Sequence, residues 1–136
     1  MKVVYSDLKN KRVFISGGGS GIGATIVEHF CEQKSEVYFI DIDLKSSKKL
    51  IKKIKKKGYR VPKFIECNIL DVKKLQNIIK DIISKKGAIH CLINSAANDD
   101  RHTTEQVDEK YWENRMGINL KHYFFAAQAV VKGMKK

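Results

Sequence analysis

Three observations predict an α/β fold built on an open parallel sheet. Short apolar runs alternate with longer stretches of helical period, the runs are continuously apolar instead of alternating, and a glycine cluster stands at the first junction between run and helix. A strand that is apolar throughout must be covered on both faces, and helical crossovers are how parallel strands acquire that cover.

The elements follow in order. Arg12 to Ser16 is the first strand, and Ile22, Ile26, Val27 and Phe30 mark one face of the helix after it. Glu36 to Ile40 is the second strand, followed by a helix whose Leu50, Ile51 and Ile54 turn toward the sheet. Gly58 and Pro62 punctuate before the third strand, Lys63 to Cys67. Val72, Leu75, Ile78, Ile79, Ile82 and Ile83 repeat with the period of a third helix, which Gly87 ends. Ile89 to Asn94 is the fourth strand. The last segment, Asp108 to Gly133, carries apolar residues around so much of its circumference that a helix there expects burial on more than one side.

A chain of 136 residues accommodates one domain with its own core, here residues 1–136. Hydrophobic content of 43% and aromatic content of 9% are those of a globular protein and not of a disordered one. The N-terminus has no apolar signal-peptide core, and the apolar stretch Tyr123 to Val131 is too short to span a bilayer. Cys31, Cys67 and Cys91 form no CxxC pair, so they are expected as buried free thiols in a reducing cytoplasm, with no metal site. His29, His90 and His122 lack ligand spacing and are expected to be solvated or hydrogen-bonded structural residues.

Net charge is +12, but residues 44–60 hold eight lysines and Arg60 with no acid, which leaves 18 basic against 15 acidic residues elsewhere. A basic amphipathic helix of this kind can meet nucleic acid or an anionic membrane surface. The run lacks the interleaved arginines and aromatics of nucleic-acid sites, so an ordinary crossover helix with its lysines in solvent is the preferred reading, with no nucleic-acid or membrane partner.

The glycines carry the chemistry. Between Gly17 and Gly23, five of seven residues are glycine, directly after the first strand. A glycine turn leading into a helix brings backbone N–H groups and the positive helix end up to an anion, which a Cβ would hold away. Asp41 ends the second strand 18 residues beyond Gly23, near the ~20 expected of a carboxylate that reads an adenosine ribose. Strand, turn, helix and acid together predict a turn that holds a dinucleotide pyrophosphate. A carboxylate repels a 2′-phosphate, and neither Ser20 nor Ile42 supplies a positive charge, so the cofactor expected is NAD.

The pattern Ser16-Gly17-x-x-x-Gly21-Ile22-Gly23 resembles the Thr-Gly-x-x-x-Gly-x-Gly loop of the short-chain dehydrogenases/reductases. "ECNILD" at 66–71, "LINSAA" at 92–97 and "INLKHYFFAAQAV" at 118–130 resemble that family's adenine-holding segment, its Asn-Asn-Ala-Gly segment and its fourth helix. Within the family, "NKRVFISGGGSGIGA", "NDDRH" and "FFAAQAV" are similar to bacterial NAD-dependent aldose 1-dehydrogenases of the xylose type, which implies oxidation of a sugar's anomeric hydroxyl to a lactone.

The resemblance implies a Rossmann-type open parallel sheet of order 3-2-1-4, in which Ser16, Gly17, Ser20, Gly21, Ile22 and Gly23 form the pyrophosphate loop, Asp41 reads the ribose, and Asn68 with Ile69 contacts adenine. Asn94 and Ala96 line the cofactor groove, and Asn119 is the catalytic asparagine. Ser16 for Thr keeps the hydroxyl, Asn68 for Asp loses a charge, and Ser95 and Ala97 replace an Asn and a Gly. Asn98, Asp99, Arg101 and His102 are either partners for a substrate's hydroxyls or a polar surface loop, and both readings stay open.

The family's chemistry also needs a Ser and a Tyr-x-x-x-Lys pair beyond its fourth helix, where this sequence has none. Tyr5 and Lys9 have the spacing but precede the first strand. The expectation is a C-terminally incomplete chain that carries the cofactor-binding half, is inactive alone, and belongs to a homo-oligomer acting on a small-molecule sugar or alcohol. A non-catalytic nucleotide-binding half-domain that needs a partner, or a basic surface binder, are the alternatives.

Overall fold

The computed structural model describes residues 3–135, so Met1, Lys2 and Lys136 of the expected domain lie outside the described residues. Four strands, β1 (Arg12–Ser16), β2 (Glu36–Asp41), β3 (Lys63–Glu66) and β4 (Cys91–Asn94), form one parallel sheet of order β3-β2-β1-β4. This is the 3-2-1-4 order expected of a Rossmann-type sheet. The crossovers are α1 (Gly21–Glu32), α2 (Leu44–Lys56) and α3 (Val72–Lys86). After β4 the chain makes α4 (Glu109–Met116), a π-helical segment (Gly117–Lys121) and α5 (His122–Met134).

Successive strand residues point to opposite faces, and both faces are filled. Val13, Ile15, Val37 and Phe39 pack on Val27 and Cys31 of α1 and on Leu50 and Ile54 of α2. Phe14, Tyr38 and Ile40 pack on Leu75, Ile79 and Ile82 of α3 and on Ala126 and Val130 of α5. Two helix layers therefore sandwich the sheet, which is why its central strands read as unbroken apolar runs.

Aspartates start three of the helices. The side chains of Asp43, Asp71 and Asp108 accept from the backbone N–H groups of Ser46, Lys74 and Tyr111 at 2.9, 2.9 and 2.7 Å, each satisfying a donor that a helix start leaves free. Helix α1 differs, since Ser20 precedes it without a side-chain cap.

Glu28 on α1 binds Lys53 at 2.7 Å and also Lys57, both from the lysine-rich α2. These hydrogen bonds hold its carboxyl below the usual carboxylate range. The remaining lysines of α2 face away from its buried Ser47, Leu50 and Ile54.

Several details depart from the sequence expectation. The fourth strand begins at Cys91 and not Ile89, because the His90 ring takes the place of a ladder carbonyl: its Nδ1 accepts from the Arg12 N–H at 2.9 Å. The third strand stops one residue early and the second runs one further. The last segment is three helical pieces whose burial is confined to Gly117, His122, Ala126 and Val130, while Trp112 and Phe124 stay 58% and 63% exposed.

Ile22, counted in the apolar face of the first helix, is 78% exposed at that helix's open end. The cysteines are all free, but only Cys31 and Cys67 are buried, burial pushing the Cys31 thiol up to about 12. His29 is exposed beside Glu32, whereas His122 is wholly buried with its Nδ1 lacking a hydrogen-bond partner.

Ile79 is fully buried between α3 and the sheet. Ile79→Ala is expected to lower stability by about 2–5 kcal/mol, read as a lower urea midpoint with an unchanged slope. Because the folded-state pKa of Glu28 is depressed, its contribution is present above the ordinary glutamate range near ~4.3 and is lost as pH falls through the folded value. Glu28→Gln is therefore expected to lower thermal stability at pH 7 and to flatten its fall below pH ~4.5.

Candidate functional site

All four strands point their carboxyl ends the same way, with Ser16 level with Ile40 on one side and Asn94 on the other. An open parallel sheet binds ligands where neighbouring crossovers leave toward opposite faces, here between β1 and β4. A cavity of about 720 Å³ lies there, lined by Gly17, Ser20 to Gly23, Asp41 to Asp43, Cys67 to Ile69, Ser95 to Asp99 and Ile118.

Most of the glycines meet the protein's own atoms before they meet any ligand. A Cβ on Gly23 would lie 1.9 Å from the Gly17 carbonyl oxygen, and one on Gly17 would lie 2.6 Å from Ala96 Cα. At Gly18 and Gly19 it would strike the Phe39 ring and the Ser47 hydroxyl. Gly21 alone of the five faces open space, at φ +53°, on the cavity wall. Four of the five glycines thus allow the strand, turn and helix to close up, and one leaves room above the helix start.

The first turn of α1 offers N–H groups with no partner within the helix, and Ser20 does not cap them. With the positive end of the helix behind them they suit a pyrophosphate, and the open space at Gly21 gives it clearance.

Asp41 is fixed before any ligand arrives. Its Oδ2 accepts from the Gly19 N–H at 2.8 Å and its Oδ1 from the Asp43 N–H at 2.9 Å. Asn68 Oδ1 accepts from the Leu70 N–H at 3.0 Å, which turns the chain so that Cys67, Asn68 and Ile69 line the far end. The wall carries the carboxylates of Asp41, Asp43 and Asp99 and no lysine or arginine.

Ser16 lies just behind the cavity, fully buried. Its Oγ accepts from the N–H groups of Ser95 and Ala96 at 3.2 and 3.3 Å and stands 3.4 Å from His122 Nε2. Asn94 is half-buried in β4, where its Nδ2 donates to the Tyr123 carbonyl at 3.5 Å; it does not line the cavity.

Asn119 sits in the π-helical segment, a local irregularity that is frequent at functional sites. Its Oδ1 accepts from the Asn98 N–H at 2.9 Å and its Nδ2 donates to the Asn98 carbonyl at 2.8 Å. This reciprocal pair pins the loop after β4 to the helix.

The same loop is held again further on, where Arg115 pairs with Asp100 at 3.1 Å, the Tyr111 hydroxyl donates to the Asp100 carbonyl, and His102 stacks on Tyr111 at 4.2 Å. Of the proposed substrate residues, Asn98 and Asp99 line the cavity, whereas Arg101 and His102 do not. Asp43, Cys67 and Ile118 also line it without having been singled out in the sequence. Asp43 follows the acid-bearing strand end and could have been found there, but Cys67 and Ile118 carry no comparable signal.

A second Tyr-x-x-x-Lys spacing, Tyr59 with Lys63, corrects the sequence reading, which named only Tyr5 with Lys9. The Tyr59 hydroxyl donates to Glu32 at 2.8 Å and Lys63 Nζ lies 3.3 Å from the Tyr38 hydroxyl. Lys63 opens β3, so the pair belongs to the amino-terminal end of the sheet, away from the cavity. Among the described residues no group of three or more His, Cys, Asp or Glu side chains could hold a metal ion, and no helix is long and apolar enough to cross a membrane.

The short chain dehydrogenase family model matches residues 11–136. The chain belongs to this family. It is 39% identical over 134 residues to D-xylose 1-dehydrogenase of Caulobacter vibrioides, covering 98% of this chain and 52% of that protein. It is 37% identical over 132 residues to the "Probable galactose dehydrogenase GalD" of Rhizobium meliloti, covering 97% of this chain and 52% of that protein. Thermoplasma acidophilum aldohexose dehydrogenase superposes with a TM-score of 0.80 at 25% identity, covering 96% of this chain and 46% of that one. The chain spans about half the length of the curated relatives it matches.

Two alanine substitutions separate the roles of the glycines. Gly23→Ala, which drives a methyl into the Gly17 carbonyl, is expected to lower the melting temperature and abolish dinucleotide binding together. Gly21→Ala meets no protein atom within 4 Å and is expected to cost only the ~1–2 kcal/mol of a left-handed non-glycine residue, with a larger loss in dinucleotide titrations. Equal loss of fold from both would show that the open side of Gly21 has no binding role.

Proposed function

We propose that this chain is the cofactor-binding part of an NAD-dependent cytoplasmic oxidoreductase that oxidises a sugar hydroxyl, an aldose C1 to the lactone, within a homo-oligomer. The observation that carries the cofactor reading is the cavity wall: backbone N–H groups at the start of α1, a carboxylate fixed at the end of β2, and no basic side chain. NAD, when bound, supplies the acceptor for a hydride.

The residues present divide the remaining work. Ser20 to Gly23 hold the pyrophosphate on backbone N–H groups, and Gly17 lets the turn close against Ala96. Asp41 accepts from the ribose hydroxyls with the lone pairs its two backbone donors leave free, and its charge excludes a 2′-phosphate. Asn68 and Ile69 flank the adenine, and Ala96 lines the wall. Asn98 and Asp99 continue that wall toward the sugar, where a carboxylate can accept from two hydroxyls. Asn119 keeps the Asn98 backbone in place and has no proton to give up.

Removing hydride from a carbinol carbon also needs a base for the hydroxyl proton. Residues 3–135 bring no tyrosine–lysine pair to the cavity, so this chain by itself binds the cofactor without turning over. Similarity to D-xylose 1-dehydrogenase and to the "Probable galactose dehydrogenase GalD" supports a sugar as substrate.

In a fluorescence titration of the 136-residue chain, NADH is expected to bind at least ~10-fold more tightly than NADPH, and Asp41→Ser to narrow that gap. Equal affinity of the unaltered chain for both would overturn the choice of NAD. Reduction of NAD with xylose by the same chain would overturn its assignment as a binding part without a base.

A further inference from the structure

His122 is the largest polar side chain that is fully buried, and nothing in the dinucleotide reading uses it. It opens α5, directly after the π-helical segment that contains the cavity-lining Ile118, and its ring meets Tyr123 edge-on at 4.2 Å. Its Nε2 is 3.4 Å from Ser16 Oγ, and neither residue lines the cavity.

Counting donors and acceptors fixes what passes between them. A serine hydroxyl has two lone pairs and one proton. The N–H groups of Ser95 and Ala96 take both lone pairs, the Ser95 N–H being shared with the Ser16 carbonyl at 3.2 Å. Only the Oγ–H remains, and the acceptor within its reach is His122 Nε2. The count therefore favours a neutral ring with its own proton on Nδ1 over a ring that donates from Nε2.

Burial favours that state, pushing the imidazole below its ordinary range, with the Ile118 carbonyl partly opposing the shift. No charged side chain enters as a cause of the shift. The groups facing the ring are Ser16 from β1, the Ile118 carbonyl from the π-helical segment, and Tyr123 from its own helix.

A protonated ring reverses the exchange. An Nε2–H would become a third donor toward Ser16 Oγ, whose lone pairs already serve the two backbone N–H groups. One of the three must leave the hydroxyl, with the Ser16 carbonyl still available to Ser95 but not to Ala96, and the loop of Ser95 to Ala97 is the part of this contact that lines the cavity. Gly17 feels the change as well, because Ala96 is its nearest neighbour.

We propose that His122 is a positioning residue that, as the neutral Nδ1–H tautomer, holds the Ser95–Ala97 wall of the cavity through the Ser16 hydroxyl, and that protonating it loosens that wall. The consequence for ligand binding rests on the dinucleotide reading of the cavity; the tautomer and the link to the loop do not.

Two measurements on the 136-residue chain test this. The first needs no ligand: long-range proton–nitrogen NMR of the imidazole at pH 7.5 is expected to show an unprotonated Nε2, and the Ser95 and Ala96 amide resonances should shift on acidification with the midpoint of His122. A protonated Nε2 at pH 7.5, or amides indifferent to His122, would overturn the proposal.

The second is NADH affinity against pH. It is expected to be flat above pH ~6.5 and to weaken by about tenfold once the ring is charged. His122→Gln, whose carbonyl accepts from Ser16 and does not titrate, should keep the pH 8 affinity and lose the acid weakening. His122→Leu, which removes the acceptor, should bind more weakly at every pH. An unchanged acid weakening in His122→Gln would overturn the positioning role even if His122→Leu fails to fold. No NADH binding at any pH would sink the dinucleotide reading while leaving the NMR result to decide the inference.

Discussion

The cavity depends on backbone touching backbone at the carboxyl ends of β1 and β4. Gly23 has no Cβ because the Gly17 carbonyl occupies that place, and Gly17 has none because Ala96 does. These two contacts set the angle at which α1 leaves the sheet and the distance at which the loop after β4 passes it. The helix start then aims its free N–H groups into the space left over. Ser16 completes the arrangement from behind, since one buried hydroxyl ties the end of β1 to two successive amides of that loop. A glycine cluster that looks made for a ligand is thus mostly made for the protein, and the ligand space is its by-product.

The rest of the molecule keeps those strand ends in register. Each central strand is gripped by helices on both faces, so β1 cannot tilt without opening one of two cores. The aspartate caps of α2 and α3 fix where those crossovers start, and Asp43 in doing so follows the Asp41 carboxylate by a single turn of chain. Asp41 in turn is tethered to the glycine loop through Gly19. The Asp41 carboxylate and the glycine loop are therefore one hydrogen-bonded unit, and neither side-chain rotation nor loop motion has to be frozen when a ligand arrives.

Much of this was legible in the sequence because it rests on local periodicity and on glycines that a single turn requires. The parallel sheet followed from runs such as Val13-Phe14-Ile15 that leave no face for water, and the acid at 41 followed from its distance to the turn. What was not legible depends on which residues meet across the fold. The trimmed start of β4 comes from the ring of His90 replacing a backbone acceptor, and Ile22 looked like core because its spacing matches an apolar face that the helix end does not bury. His122 looked like any isolated histidine, and only its placement opposite Ser16, 106 residues earlier, shows that it is not solvated. The breaking of the last segment into three helical pieces also escaped, since Gly117 must sit against Leu70 and a π-helical turn leaves no period of its own.

That π-helical turn works as a phase shifter. One residue inserted into an α-helix turns everything after it by about 100°. Because of it, α4 can present Tyr111 and Arg115 to the loop of Asp100 while α5 presents His122, Ala126 and Val130 to the sheet, although the two are a continuous rod in sequence. The two ends of the rod answer to different neighbours, one to the cavity mouth and one to the core. Substitutions that suit one end need not disturb the other, so the mouth is free to be rebuilt for a different ligand over an unchanged interior.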